Sequence, residues 1–544
     1  TPSAASGVPL AKAPAAARAA AAEVPRANSG TWRPSTVAGV CSATAALLAA
    51  GRRKRRSPGG AKVVRNQATD AKEVDLTVAE EAENGWGEEF NWKKAWYPMA
   101  VIQDMDEGRP NKLQLLGEKL VAWKDGEGEW RVFEDRCPHR NVPLSEGRIE
   151  KDGNLMCSYH GWRFDGEGKL VELPQATEEQ LPRLQANPRS CAPSRPTQVR
   201  NEVLWVWGEC GPDAALEAAL VEPNNVKEME DPELEGRASM GCWSHRDVPY
   251  GWDVAFENVT DPAHVTVAHH NIVSNRYTSP GPITIDFTRK PTNKDGFKFK
   301  ITNLDPKKKD PNVVSTMDFR PPCQMHIKTH YLDTDASLTL IINFVPTKPG
   351  WSRLVGSTLL INGKNGEKPP GFAIYSAPLP RWMVHLLAPA FLHQDQVFLH
   401  HQQAILERQK KKEGVDWDKS YWIPTQADKG TVTLRRWLDK NGGMPAWVAS
   451  VSPEDVEKTM TDGVLFDTYK THTEQCVVCQ AALKRTKLLR RGLEYGAVVA
   501  GAAGVASTSV PMLAGGLALG LGATACSKLQ KMFYEVPFNH QDNN

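Results

Sequence analysis

Along much of the chain, apolar and polar residues alternate with a period of two, the pattern of strands buried on one face. Leu120 to Trp123 and Trp130 to Phe133 flank Gly126-Glu127-Gly128 and predict a hairpin. From Trp92 to about Pro212 short strands and turns continue. Ile283 to Thr288, Phe297 to Ile301, Met325 to Leu332, Leu338 to Val345 and Leu354 to Ile361 then predict one antiparallel sheet. The period changes from Arg381 to Lys412, where Leu386, Phe391, Val397, Phe398, Ile405 and Leu406 supply an apolar helical face. Strands grouped ahead of a long helix read as α+β.

Both ends depart from this pattern. The first 66 residues are rich in Ala, Ser, Pro and Arg with Glu23 as their one acidic residue, the composition of an organelle transit segment. Inside them the apolar run Val37 to Ala50 is too short for a membrane span and meets Arg52, Arg53, Lys54, Arg55 and Arg56. That order suggests import into a secondary plastid, with a disordered Ala-rich leader as the alternative. Near the other end, Gly496 to Cys526 holds no charged residue over 31 positions. Pro511 divides the run, so it reads as one kinked span or a tight pair of short helices in lipid, or as a buried soluble hairpin. Lys484, Arg485, Lys487, Arg490 and Arg491 precede it and suit an anionic membrane surface.

Charge narrows the function classes. A net charge of +2 with Lys and Arg spread along the chain offers no basic face for nucleic acid. Ten cysteines in 544 residues are too few for a disulfide framework, so grouped Cys and His point to metal or redox chemistry.

The first group is Cys137-Pro138-His139 followed by Cys157-Ser158-Tyr159-His160-Gly161-Trp162. Two thiolates and two imidazoles on paired loops are the ligands of a Rieske [2Fe-2S] centre, with Cys137 and Cys157 on one iron and His139 and His160 on the other. The same four would satisfy tetrahedral zinc, but zinc motifs pair like with like, whereas each loop here gives one of each. A second group, Glu257-Asn258-Val259-Thr260-Asp261-Pro262-Ala263-His264 and then His269-His270, offers two imidazoles. With a distant carboxylate they would form a 2-His-1-carboxylate iron site. His264 and His269 are five apart, so a π-bulge or a helix end must converge them. Asp395 is the preferred carboxylate, on a helix whose neighbours read as buried; Glu407 is the weaker candidate. Asp261 alone reads as a cap before Pro262.

A Rieske cluster and a mononuclear iron in this order, from about Trp92 to Gln403, resemble the Rieske non-haem oxygenase family. Three further features resemble its plastid group of pheophorbide a oxygenase, Tic55 and PTC52: Pro143-Leu144-Ser145-Glu146-Gly147-Arg148; Asp261-Pro262-Ala263-His264 with the doubled His269-His270; and Cys476-Val477-Val478-Cys479 before an apolar anchor. The resemblance implies an all-β Rieske domain, a helix-grip antiparallel-sheet catalytic domain and C-terminal membrane-anchoring helices. The expected divisions are a transit-type presequence (1–66), an acidic linker (67–91), the Rieske domain (92–212), the mononuclear-iron domain (213–440), a segment with the Cys pair (441–494), a membrane anchor (495–528) and a tail (529–544).

It also implies O2 as co-substrate, reduced ferredoxin as donor, a tetrapyrrole substrate, a homotrimer and a plastid envelope or thylakoid location. Asp261 would hydrogen-bond a Rieske His of the adjacent subunit and carry electrons to the catalytic iron. The reaction implied for pheophorbide a is ring-opening at a methine bridge. Hydroxylation of a chlorophyllide, protochlorophyllide or phyllobilin, and a Tic55-like redox sensor, stay open. Cys476 and Cys479 read as a thioredoxin-responsive switch, a metal half-site or inert thiols, with no second pair nearby in the sequence to complete a zinc site. His245, His326 and His330 read as packing residues.

Overall fold

The computed structural model describes residues 86–305, 307, 309–441 and 462–543. The presequence, most of the acidic linker and residues 442–461 of the Cys-pair segment lie outside the described residues.

Strands β1 (Trp96–Val101), β2 (Asn111–Leu115), β3 (Glu118–Lys124) and β4 (Trp130–Glu134) come first. β3 and β4 form the expected hairpin, with Leu120 opposite Glu134 and Lys124 opposite Trp130. Its turn closes on the Asp125 carboxylate, which accepts from the N–H groups of Glu127 and Glu129. β5 (Arg148–Ile149), β6 (Leu155–Met156), β7 (Arg163–Phe164) and β8 (Leu170–Glu172) make a separate small sheet. Its first turn packs so tightly on the β3–β4 turn that a Cβ on Gly153 would lie 2.1 Å from the Gly126 nitrogen, which leaves room only for glycine. β9 (Ser194–Arg195) pairs with β4, and β10 (Thr197–Arg200) and β11 (Val203–Trp207) join β1 in a third sheet.

The large sheet holds β12 (Ala238–Met240), β13 (Ser244–Val248), β14 (Ile283–Thr292), β15 (Gly296–Asn303), β16 (Val313–Arg320), β17 (Gln324–Tyr331), β18 (Ala336–Pro346) and β19 (Ser352–Ile361). Its order is β12-β19-β18-β17-β16-β15-β14, with β13 continuing the β12 edge along β19. The alternation does not mark β16, where Ser315, Thr316 and Asp318 interrupt it. Asp318 is buried there only because Arg289 and Arg320 neutralise it, at 2.6 and 3.0 Å.

Helices α1 (Trp252–Thr260), α2 (Arg381–Arg408) and α3 (Lys429–Lys440) complete this body. Trp252 and Phe256 of α1, Trp437 of α3 and Phe297, Phe319 and Phe344 of the sheet form its core. Phe319 packs edge-on to Trp437 at 5.2 Å and to Phe256 at 5.3 Å, so Phe319→Ala would destabilise the protein by roughly 3–5 kcal/mol. The same core runs into Tyr97, Met99, Leu113 and Leu115 of β1 and β2. The part that carries β1 to β11 and the large-sheet body therefore share one core. Glu257 is committed elsewhere than to metal: its buried carboxylate pairs with Arg435 of α3 and accepts from Tyr421 and Gln402, each at 2.9 Å.

The apolar face expected on α2 is only partly the face it buries. Leu386 of that face is buried and Val397 and Leu406 are half-buried, but Phe391, Phe398 and Ile405 are exposed, whereas His385, His393, Gln394, Asp395, Gln396, His400 and Gln403 are buried. His393 and His400 can be buried because they find partners: His393 Nδ1 donates to the Val536 carbonyl at 2.7 Å, and His400 Nδ1 to that of Pro249 at 2.5 Å.

The apolar C-terminal run lies in two antiparallel helices, α4 (Val477–Ala506) and α5 (Val510–Met532). Both are longer than the fifteen-residue pieces expected, because α4 begins ahead of the basic cluster and α5 continues past the uncharged run to Met532. Pro511 starts α5 rather than kinking a span, since its missing N–H is not needed in a first turn. Small residues bring the backbones together: a Cβ on Gly504 would lie 2.8 Å from the Leu513 nitrogen. Val498, Val499, Val505, Leu517 and Leu521 face outward. Among the described residues α5 is the one helix long and apolar enough to cross a membrane. The tail after α5 returns to the body, where His540 stacks on Phe398 at 4.1 Å.

Candidate metal centres

The Cys-His loops of the first group are built alike. Cys137 N–H donates to the Val142 carbonyl and Cys157 N–H to that of Trp162, at 2.8 and 2.9 Å. The Asn141 and Gly161 N–H groups close each loop back onto the Cys carbonyl. Asn141 and Gly161 both have positive φ, 57° and 75°, the left-handed step that turns each loop and that Gly and Asn adopt most readily. The sulfurs are buried at the base, while His139 is exposed and His160 half-buried. The imidazole rings stand 4.6 Å apart and Trp162 stacks on His139 at 4.8 Å. Cys137 donates to Cys157, which pulls the Cys157 thiol down to about 6. This donor set, sulfur inward and imidazole outward, fits a Rieske cluster.

The second centre forms where α1 ends. Asp261 leaves the helix extended, and a 3-10 turn over His264–Thr266 follows, so a helix end, not a π-bulge, converges the two imidazoles. His269 Nε2 lies 3.2 Å and His264 Nε2 4.0 Å from Asp395 Oδ2. The three donor atoms lie within 4.8 Å of one another. Each Nδ1 is held from behind: that of His264 by the Asp261 carbonyl at 2.6 Å, that of His269 by Gln394 Oε1 at 3.0 Å. Both Nε2 atoms therefore carry their lone pairs toward Asp395.

Two observations fit a cation at that point. Asp395 Oδ1 is buried with no hydrogen-bond partner among the described residues. Burial lowers the pKa of His264, yet the Asp261 and Asp395 carboxylates outweigh it and leave the group raised, so the site favours positive charge. Glu407, the weaker candidate, instead faces Lys411 at 3.5 Å. His270 stands apart from the triad, its Nδ1 accepting from the Arg276 N–H at 3.1 Å.

Asp261 accepts from the N–H groups of Ala263 and His264, at 2.7 and 3.3 Å, and its side chain keeps 28% of its surface exposed. It caps the turn and still presents charge outward.

Sequence reasoning missed the outer ring of this centre. Gln394, one residue before Asp395, orients His269, and the tail covers the same region. His540 Nε2 donates to the Gln394 carbonyl at 2.7 Å and Asn543 Nδ2 to that of His270 at 3.1 Å. No local pattern signals a contact between a tail and a turn so far apart in the chain. His245 and His330 have partners after all, Asp104 at 3.3 Å and Asp335 at 3.1 Å. His326 is a core residue whose pKa burial pushes down to about 3.

Cys476 and Cys479 are fully buried at the start of α4, with His385 and His472 beside them. The expectation that nothing nearby completes the pair fails in space: His385 comes from α2. His472, four residues before Cys476, was a readable signal.

Comparison with known proteins places these centres in a family context. The Rieske [2Fe-2S] domain profile matches residues 95–188 and the pheophorbide a oxygenase profile residues 319–413. The chain is 33% identical to a chloroplastic pheophorbide a oxygenase of Oryza sativa subsp. japonica, over 84% of this chain and 86% of that protein. It is 32% identical to chloroplastic flavonoid 8-hydroxylase 2 of Ocimum basilicum, over 83% and 86%. It is 31% identical to the protochlorophyllide-dependent translocon component 52 of Arabidopsis thaliana, over 73% and 74%.

Proposed function

The chain belongs to the pheophorbide a oxygenase family of Rieske-type oxygenases, and from that membership we propose that it uses O2 to oxidise a chlorophyll-derived tetrapyrrole, with ring-opening of pheophorbide a as the reaction. The observation that carries this reading is the convergence of His264, His269 and Asp395, whose second carboxylate oxygen is buried without a hydrogen-bond partner among the described residues. A ferrous ion there would supply O2 activation, and a cluster on Cys137, His139, Cys157 and His160 would supply electrons singly.

The chain's own residues set the geometry for both. Gln394 and the Asp261 carbonyl fix the ring tautomers of His269 and His264. Phe391 stacks on the His269 ring at 4.0 Å and shields it from water. The exposed imidazole edge at His139 suits the approach of a small electron carrier, reduced ferredoxin. It also suits a neighbouring subunit whose Asp261 would accept from it. That relay requires contact between neighbouring chains, and the ring that family resemblance implies is a trimer. The functional units are then 92–212 and 213–440.

The C-terminal hairpin is the membrane anchor in this reading. The uncharged part of α4, Gly496–Ala506, is about 16 Å long, half of what a bilayer core needs. The hairpin would therefore enter and leave by one face, with Lys484, Arg485, Lys487, Arg490 and Arg491 at the lipid headgroups. Relatives named as chloroplastic support a plastid membrane as its place.

A second reading rests on the likeness to a flavonoid 8-hydroxylase: hydroxylation of a smaller planar aromatic. Anaerobic reconstitution with reduced ferredoxin and pheophorbide a, protochlorophyllide, chlorophyllide or a flavone, then mass analysis after O2 admission, separates the two. A ring-opened product from pheophorbide a is expected. Oxygen added to a flavone alone would overturn the tetrapyrrole reading.

A further inference from the structure

We propose that His385, His472, Cys476 and Cys479 hold a single tetrahedral zinc ion that staples the C-terminal hairpin to α2. All four residues are buried and their donor atoms lie within 4.8 Å of one another. His385 Nδ1 is 3.4 Å and His472 Nε2 3.3 Å from Cys479 Sγ, and Cys476 Sγ is 3.7 Å from His385 Nδ1. Zinc with Zn–S of about 2.3 Å and Zn–N of about 2.0 Å places tetrahedral N and S ligands roughly 3.5 Å apart. The three N–S separations match N–S edges of that tetrahedron, and the remaining donor pairs lie within 4.8 Å.

The rings are held for coordination from outside the cluster. His472 Nδ1 donates to the His245 carbonyl at 2.6 Å, which leaves Nε2 as a lone pair toward Cys479. His385 Nε2 faces the Trp243 carbonyl at 3.4 Å and Asp104 Oδ2 at 3.8 Å, which leaves Nδ1 toward both sulfurs. Asp104 is itself buried and stands behind His385 as a carboxylate behind a metal-bound histidine does. Cys476 caps α4, its sulfur accepting the Cys479 N–H at 3.4 Å, so thiolate charge sits at the positive end of the helix.

Burial decides between this site and a thiol switch. A reductase must reach a sulfur to exchange with it, and both sulfur-bearing residues have no exposed surface. Two sulfurs and two nitrogens converging on one closed point instead match structural zinc. The ligands come from two segments far apart in sequence, His385 on α2 and residues 472–479 at the start of α4, so binding the ion docks α4 and, through it, α5 and the tail. This site does not depend on the identity of the substrate.

The test uses the full chain purified without chelators under reducing conditions. Metal analysis should give about one zinc per chain beside the iron, and zinc K-edge absorption should show two sulfurs at about 2.3 Å and two nitrogens at about 2.0 Å. The Cys476→Ser/Cys479→Ser double variant should lose the zinc while keeping the iron and the visible spectrum of the cluster. The proposal is overturned if the reduced wild type takes up no zinc when offered it, if its zinc has no sulfur neighbours, or if the double variant keeps its zinc. Rapid Cys476–Cys479 disulfide formation in the native protein without metal release would overturn it in favour of a switch. Should the double variant fail to fold, the wild-type absorption spectrum decides alone.

Discussion

Two ligand sets share helix α2 and differ in closure. His264, His269 and Asp395 number three, and His264 keeps 18% of its side chain exposed. His385, His472, Cys476 and Cys479 number four, and every one is buried. Three protein ligands leave positions for small molecules, whereas two sulfurs and two nitrogens fill a tetrahedron. One helix thus carries an open centre suited to reaction and a closed centre suited to holding the fold.

The comparison fails if removing a ligand has the same consequence at both places. The largest effect is expected from Asp395→Ala, which should empty the mononuclear iron site and take turnover below detection. Zinc content and the cluster spectrum should stay unchanged; metal analysis and a ferredoxin-coupled O2 assay read both. Asp261→Asn comes next, with turnover down by ~100-fold at full iron content. The single amide oxygen of Asn can still accept the Ala263 N–H, so the shorter of the two capping bonds survives while the charge and the 3.3 Å bond to the His264 N–H are lost. Unchanged turnover would remove the relay.

Gln394→Leu should weaken iron binding by about tenfold in an anaerobic Fe(II) titration, because His269 Nδ1 then loses its partner. An unaltered affinity would mean that the ring is fixed by packing on Phe391 instead. The smallest effect belongs to His540→Ala, which removes one hydrogen bond and the ring stack on Phe398 between the tail and α2 and should loosen tail docking by about 1–2 kcal/mol. Limited proteolysis measures it; equal cleavage rates would show that the tail is held elsewhere.

How far each centre could be read from the sequence follows from how its ligands are spaced. Cys137 to His160 fall on two adjacent loops, so residue types and spacing displayed the whole set. His264 and His269 are also local, but Asp395 lies on another element, and only its surroundings recommended it. The α2 pattern misled in part because periodicity weighs apolar side chains, and here Leu386 and Leu399 share the buried side with His385, Gln394, Asp395, His400 and Gln403. Long-range partners left no trace at all: His385 meets Cys479 across 94 positions. Strand β16 escaped for a related reason, since a buried aspartate held by two arginines reads as solvent-facing.

The spacing of the two sets along α2 has a consequence for how the protein can vary. His385 and Asp395 are ten positions apart in one continuous helix, about 15 Å along its axis and roughly 80° around it. A single residue added between them would rotate one set by about 100° against the other. Loops on the surface accept insertions freely, but the stretch from 386 to 394 is a gauge block whose length is fixed from both ends.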